Sequence, residues 1–438
     1  MPTKDFSDMV LVYTYKITPR LRYIMKHIFK RMLHTDVDLT TRVEDFIAHS
    51  GPKMSYAKQP LQSEFFIRSN DLLFDDGISD IEIKVSDWEG VPCFFPCTEK
   101  SVLPFDIFAA SFYLISRYEE YLPHVKDEHG RYPSEESLAG RNGFLETPVV
   151  DIWALRLWAA LQERFPEMNA PKRSFRFTPI VDVPVLFRYR KKGILRTLGG
   201  TFVDLSKFRF REFFRRYAVL LGIKPDPNNV FDELTALHKR NNVEALYFFL
   251  LADYSHYDKN ISVYKPVVKT LVKSVADYSI VSLLASYRSF SDLDLLKKER
   301  RRLINFINRP VKRVRHRFNR IQIPETYRAV VEAEFNEDYT MGYSDRVGFR
   351  AGTCTPFYFY DISFEEQLPV LINPVAVIYS ALYQYQNIKR AREKMKSIRK
   401  EISEVGGDFN IVFSNEVLNF TEYNSMTSLY QEMVSETE

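Results

Sequence analysis

Histidine is scarce in this chain: there are eight in 438 residues, and beyond residue 180 only His238, His256 and His316. Any imidazole chemistry in the C-terminal half must draw on those three. Cysteine is scarcer still. Cys93, Cys97 and Cys354 cannot build a disulfide framework and fit a reducing compartment. Cys93 and Cys97 lie four apart, but a zinc site would need two more ligands nearby and none is evident, so ordinary thiols are expected. Long apolar runs are also lacking. No stretch approaches the ~20 residues a membrane span needs, and the N-terminus, MPTKDFSDMVLVYTYKITPRLRY, has no apolar core of signal-peptide length. These absences predict a cytoplasmic protein. The net charge of +4 is too small to argue for a nucleic-acid partner. Internal repeats and low-complexity tracts are absent, and Gly199-Gly200 is too short for a phosphate loop.

Aromatic side chains are abundant: 15% of the chain, with 35 Phe and 26 Tyr. That is material for a sizeable core, and the length suits two domains or one large one with an extension. Residues 10–35 read as a short strand and then a basic amphipathic helix, and IEIKV (81–85) and VPCFF (91–95) read as strands. Helices are predicted from Phe105 to Tyr121 and from Asp151 to Phe165, the second with Asp151 as N-cap. Pro166 and the PKRS at 171–174 punctuate the chain and place a boundary near residue 172.

Beyond it strands and helices alternate. RFTPIVDV (176–183), VEALYFFLL (243–251), SIVSLLASY (279–287), VLINPVAVI (370–378) and FNIVFS (409–414) are strand candidates. Helices are expected near 230–240 and 263–277, after a capping-box spacing at Ser291 and Asp294, and along an apolar stripe from Ile388 to Val405 stopped by Gly406-Gly407. Such alternation predicts an α/β fold with a parallel sheet or (β/α) barrel. FRFREFF (208–214) reads as a core-facing aromatic stripe. From Lys297 to Arg320 there are eleven Lys or Arg and one acid, Glu299, which reads as a solvated helix face followed by a basic loop, or else as a polyanion site.

Several longer stretches carry a family resemblance. FDIFAASFYLISRYEEYLP (105–123), HGRYPSEESLAGRNGFLETPVVDIWAL (129–155), DYSHYDKN (253–260), PETYRAVVEAEFNEDYTMGYSD (324–345) and GFRAGTCTPFYFYD (348–361) resemble a bacterial subgroup of polysaccharide-deacetylase-like proteins. In that subgroup a domain of unknown function precedes a NodB-homology domain. The resemblance implies a smaller α+β domain over residues 1–172 and a deformed (β/α) barrel over 173–438, with a site at the C-terminal strand ends. The chemistry it implies is metal-dependent removal of an acetyl group from a carbohydrate amide or ester. A divalent ion such as zinc, held by one Asp and two His, acidifies a bound water; a second Asp takes its proton, and a late His protonates the leaving group.

Matched motif by motif, the metal-holding residues are missing. The first motif, Pro-Thr-Tyr-Asp-Ile-Asp in the subgroup, resembles Pro179 to Pro184: Asp182 matches the general base, and Pro184 stands where a metal-binding Asp is expected. The second resembles Ser282 to Tyr287, with Leu284 at one metal-His position and Arg288 at the other. The third runs Val314 to Arg320; Arg315 matches, Arg317 takes a His position, and His316 is one place early, which on a strand faces the other way. In the late motif the acid His is Ser414, and a further His before Pro is Asn373. No metal cofactor is therefore expected. Asp182 is a vestigial general base, and Arg315, Arg350, Tyr287 and Asn415 are the candidate cleft residues.

Three functions follow as expectations. The first is a non-catalytic, carbohydrate-related protein that binds a glycan or polysaccharide precursor or acts as a scaffold. The second is an active deacetylase with an altered metal site. The third is a polyanion- or membrane-surface-binding module using the 297–320 run.

Overall fold

The computed structural model describes residues 9–420 and 424–436. The chain opens with a small parallel sheet of β1 (Met9–Tyr13), β2 (Asp36–Thr40), β3 (Lys53–Ala57) and β4 (Phe65–Arg68), ordered β2-β1-β3-β4. Between β1 and β2 lies the expected basic helix. Thr18 caps it by accepting from the Leu21 N–H at 3.1 Å, Pro19 takes the first helical position, and Pro19–Met25 runs straight into a π-helical segment, Lys26–Met32. IEIKV alternates in burial but joins no ladder; the short hairpin that follows it pairs β5 (Ser86–Trp88) with β6 (Val91–Cys93).

The helix expected from Phe105 to Tyr121 is shorter and ends with its apolar run at Ile115. Asp106 caps Ile107–Ile115 through the N–H groups of Phe108 and Ala109, and Arg117 at φ +55° breaks it before a 3-10 turn. The second helix spans Val149–Arg164, so Asp151 sits inside its first turn and does not cap it. Its carboxylate instead accepts from the Thr353 and Thr355 hydroxyls (2.7 and 2.5 Å), the Cys354 N–H (3.0 Å) and Arg173 (2.7 Å).

The remainder is built on nine strands: β7 (Arg176–Val183), β8 (Leu246–Phe249), β9 (Ile280–Ala285), β10 (Arg313–His316), β11 (Glu337–Asp338), β12 (Phe357–Asp361), β13 (Glu366–Ile372), β14 (Val377–Ile378) and β15 (Asp408–Ser414). Their order is β12-β13-β11-β10-β9-β8-β7-β15-β14, and every pair is parallel except β12 with β13. The run VLINPVAVI is two strands, split at Asn373-Pro374, where the chain leaves β11 and turns to β15. Helices Phe231–Arg240, Pro266–Ala276, Leu293–Ile307 and Ile388–Glu404 lie near the expected positions. The cap of the third is Asp292, accepting from the Leu295 N–H at 2.9 Å, one residue after the expected Ser291.

Alternation along these strands sends their side chains into two cores. Val181, Val183, Tyr247, Phe249, Leu283, Ile411 and Phe413 join an outer cluster that is continuous with the N-terminal helices. Ile180, Leu246, Phe248, Leu284, Tyr339, Ile378 and Val412 form a separate inner cluster. Members of that cluster come from strands far apart in the ladder, and Phe248 meets Tyr339 with ring centroids 5.6 Å apart. The sheet is strongly curled around them.

The aromatic stripe expected to face the core does not. Residues 194–220 form two helices, Ile194–Ser206 and Phe210–Leu220, and Phe208, Phe210 and Phe214 are exposed. No helix among the described residues is long and apolar enough to cross a membrane.

Candidate functional site

Parallel strands deliver their C-terminal ends to one edge, and a cleft of about 320 Å³ opens there. Asp182, Pro184, Leu284, Arg315, Arg317 and Ser414, all singled out by motif, line it together. Asp182 ends the inward stripe of β7 and Arg315 occupies the equivalent place on β10. The Arg315 Nε donates to both Asp182 oxygens at 3.1 and 3.0 Å, its Nη1 donates to the Tyr339 carbonyl at 2.6 Å, and its Nη2 bonds the Asn319 side chain. Burial raises the Asp182 carboxyl above its ordinary range, while Arg315 and then Arg317 pull it back.

Arg317 follows in a tight turn in which Phe318 and Asn319 both take left-handed backbone, φ +59° and +54°. Residues other than glycine seldom adopt this conformation. Here it turns the Phe318 ring onto the cleft and the Asn319 amide onto Arg315. Arg317 lies 3.4 Å from buried Asp258 and stacks over Phe318. His316 points the other way, as a one-residue shift on a strand requires. It packs against Phe290, and burial, reinforced by Arg320 and Arg315, lowers its pKa to about 4.

The other candidate residues lie elsewhere. Tyr287 stands outside the cleft wall, stacked on Tyr257 at 4.0 Å and touching Phe318 edge-on at 5.6 Å. Arg288 is exposed beyond it. Asn415 is fully buried and donates to the Val185 and Asn228 carbonyls at 3.0 and 2.8 Å. Buried Asn373 sits where β13 gives way to β14. Arg350 is buried away from the cleft, donating to both Glu120 oxygens at 2.8 and 2.6 Å, with Arg117 donating to Glu120 and to the Arg350 carbonyl.

Sequence reasoning missed Arg131, Asn319, Tyr379 and Glu416, which complete the cleft. Arg131 comes from the N-terminal half and reaches across to the Phe318 carbonyl (3.0 Å) and the Ser344 hydroxyl (2.9 Å) while Asp127 holds its Nε at 2.6 Å. Its polar loop has no periodicity, and although Arg131 lies in the 129–155 stretch that carries the resemblance, no matched motif gave it a role.

Elsewhere, eight of the eleven cations between Lys297 and Arg320 are engaged by acids distant in sequence, among them Glu332, Asp253, Glu334 and Glu337. Much of the charge of that run is thus matched by acids within the fold. His238 is a packed residue bonded to the Tyr430 hydroxyl at 2.7 Å. Near His256, Asp253 is committed to Lys298 and Arg302 and Asp258 to Arg317. No group of three His, Cys, Asp or Glu side chains suited to a metal ion occurs among the described residues.

As a chemical surface the cleft offers guanidinium donors from Arg131 and Arg317, acceptors at Asp182 and Glu416, and the Phe318 and Tyr379 rings. The positions expected to hold a divalent ion carry a proline ring, an isobutyl group and cationic side chains. Such a donor set does not fit that ion.

No curated protein matches the chain. Among solved structures, it is similar to a provisionally assigned polysaccharide deacetylase from Mycobacterium smegmatis at 14% identity and a TM-score of 0.39, covering 60% of this chain and 85% of that one. It is similar to the polysaccharide deacetylase of Bacillus cereus at 11% identity and a TM-score of 0.29, with the same coverage. Residues 10–166 match the model of a Family of unknown function (DUF7033).

Proposed function

We propose that the chain is a polysaccharide-deacetylase-like protein whose cleft holds a carbohydrate without metal-assisted hydrolysis, with residues 173–438 as the deformed barrel and residues 1–172 as a smaller domain packed on it. The motif resemblance supports the carbohydrate class. The non-catalytic reading is supported chiefly by one observation. The only carboxylate at the matched metal motifs, Asp182, is clamped through both oxygens by Arg315, and its neighbours Pro184 and Leu284 bring no donor.

In this reading the cleft binds by hydrogen bonding and stacking. Arg131 and Arg317 donate to ligand hydroxyl or carbonyl oxygens, Glu416 accepts, and the Phe318 ring supplies an apolar face. Ser414, at the place of the acid His, cannot protonate a leaving amine at neutral pH.

The test combines metal stoichiometry with binding. Protein purified without a metal-affinity tag is incubated with zinc, cobalt or nickel, freed of excess and assayed for bound metal, then titrated with N-acetylated oligosaccharides. The expected result is metal near zero, no acetate release, and saturable binding weakened about ten-fold by Arg317→Ala, the usual scale for losing a charged hydrogen bond. One tightly held ion per chain with acetate release abolished by Asp182→Asn would replace this reading with that of an active deacetylase.

A further inference from the structure

The hairpin of Ile194–Ser206 and Phe210–Leu220 is amphipathic in the wrong sense for a soluble protein. A surface helix ordinarily turns its apolar stripe to the core. Here Leu195, Phe202, Phe208, Phe214 and Leu221 are 85, 72, 78, 69 and 74% exposed. Several polar residues face inward instead, while Arg196, Lys207, Arg209 and Arg211 stay exposed. Asp204 is buried and accepts from Arg216 Nε and Nη2 at 3.0 and 2.6 Å, Thr201 meets the Tyr217 hydroxyl at 3.2 Å, and the Arg216 guanidinium lies against Gly200 and over the Tyr189 ring.

The spacing is regular. Ile194, Leu198, Phe202 and Leu205 fall on one helical stripe, and Phe210, Phe214 and Leu221 on another. Around this apolar face the sequence is heavily basic: from Arg188 to Lys224 there are eleven Lys or Arg against two acids, Asp204 and Glu212.

We infer that this hairpin docks the protein onto an anionic lipid bilayer, its apolar stripes entering the interfacial region and its Lys and Arg side chains meeting the headgroups. Neither helix is long or apolar enough to span, so the contact is interfacial, the mode favoured by short basic amphipathic helices. Charge selects lipid over a second copy of the chain, because self-association would press two strongly basic faces together. The hairpin also leaves the sheet at the strand end that carries the cleft. Lys192 at its base interacts with Glu416 on the cleft rim, and Arg196 bonds the Asn260 carbonyl at 3.2 Å. Docking therefore brings the cleft to the membrane side of the molecule.

The experiment is flotation of the full-length protein with vesicles of phosphatidylcholine, with and without phosphatidylglycerol, at low and high salt. Two variants accompany it: Leu198→Glu/Phe202→Glu/Phe214→Glu, which changes only exposed side chains, and Lys207→Glu/Arg209→Glu. The expected result is flotation with the phosphatidylglycerol vesicles, weakened by salt and by either variant about ten-fold or more, with circular dichroism unchanged. No flotation, or flotation indifferent to both variants, overturns the inference. A concentration-dependent dimer abolished by the triple substitution also overturns it, assigning the face to a second copy. None of these outcomes involves a glycan, so they leave the carbohydrate reading to its own test.

Discussion

Glu120 sits fully inside the protein between Arg350 and Arg117. Burial opposes its ionisation, but Arg350 and then Arg117 outweigh that and hold the carboxyl near about 2. A carboxyl depressed on folding contributes stability above its ordinary pKa and loses it as pH falls toward the folded value, here between about 4.5 and 2. Arg350→Ala leaves Glu120 buried with Arg117 as its remaining cation and is expected to cost about 3 kcal/mol in denaturant unfolding, with a shallower acid-side fall in melting temperature. Glu299 has the opposite sign: burial pushes its carboxyl up to about 7. Its contribution is complete below about pH 4.5 and declines as pH rises through 7, so Glu299→Gln should flatten that part of the profile of melting temperature against pH. An unchanged profile would refute the assignment. Residue by residue, the cleft was partly legible. Asp182, Pro184, Leu284, Arg315, Arg317 and Ser414 come together because strand motifs carry fixed alternation into a parallel sheet. Arg350, Asn415 and Tyr287 were assigned by resemblance alone, which cannot tell a residue facing a ligand from one bonded within the core.

At the scale of elements, strands β7, β8, β9 and β15 were readable because strands buried on both faces appear as near-continuous apolar runs. Errors came where side-chain pattern and burial part company. The helix expected to reach Tyr121 stops at Ile115, and the polar stretch after it, with Tyr118, Glu119 and Glu120 buried, forms a 3-10 turn instead; the 208–214 stripe has helical spacing but faces outward. Helix Ile388–Glu404 ends as read, at Gly406-Gly407. Gly407 is packed so closely on Cys354 Sγ that an added Cβ would collide with it. Gly407→Ala should therefore cost about 1–3 kcal/mol, and Cys354→Ala in the same chain should recover part of that loss. Equal losses in the single and double variants, measured by chemical denaturation, would show that the contact is not the cause.

On the scale of the whole molecule, one apolar cluster runs from Val10 to Val434 without a break at residue 172. The loop that gave the most specific sequence signature, GFRAGTCTPFYFYD, is what joins the halves. Arg350 pairs with Glu120, Thr353, Cys354 and Thr355 enclose Asp151, and the N–H of Phe349 donates to the Leu145 carbonyl at 2.8 Å. Residues 173–438 expressed alone should expose that face and fail to give a cooperative thermal transition. A sharp transition from the fragment would show that the later half is self-sufficient.

That joint has a consequence for inheritance. Its acids lie in the first half of the chain, and Arg350 and the threonine hydroxyls that complete their bonding lie about 200 residues later, so neither half can drift or be exchanged alone without leaving buried polar groups short of partners. Recombination that transplanted the early region onto a different sheet would succeed only where the recipient already carried an equivalent of the 348–355 loop. The two stretches should therefore travel as one unit, and a chimera built without that loop should fail at assembly even when each parent folds.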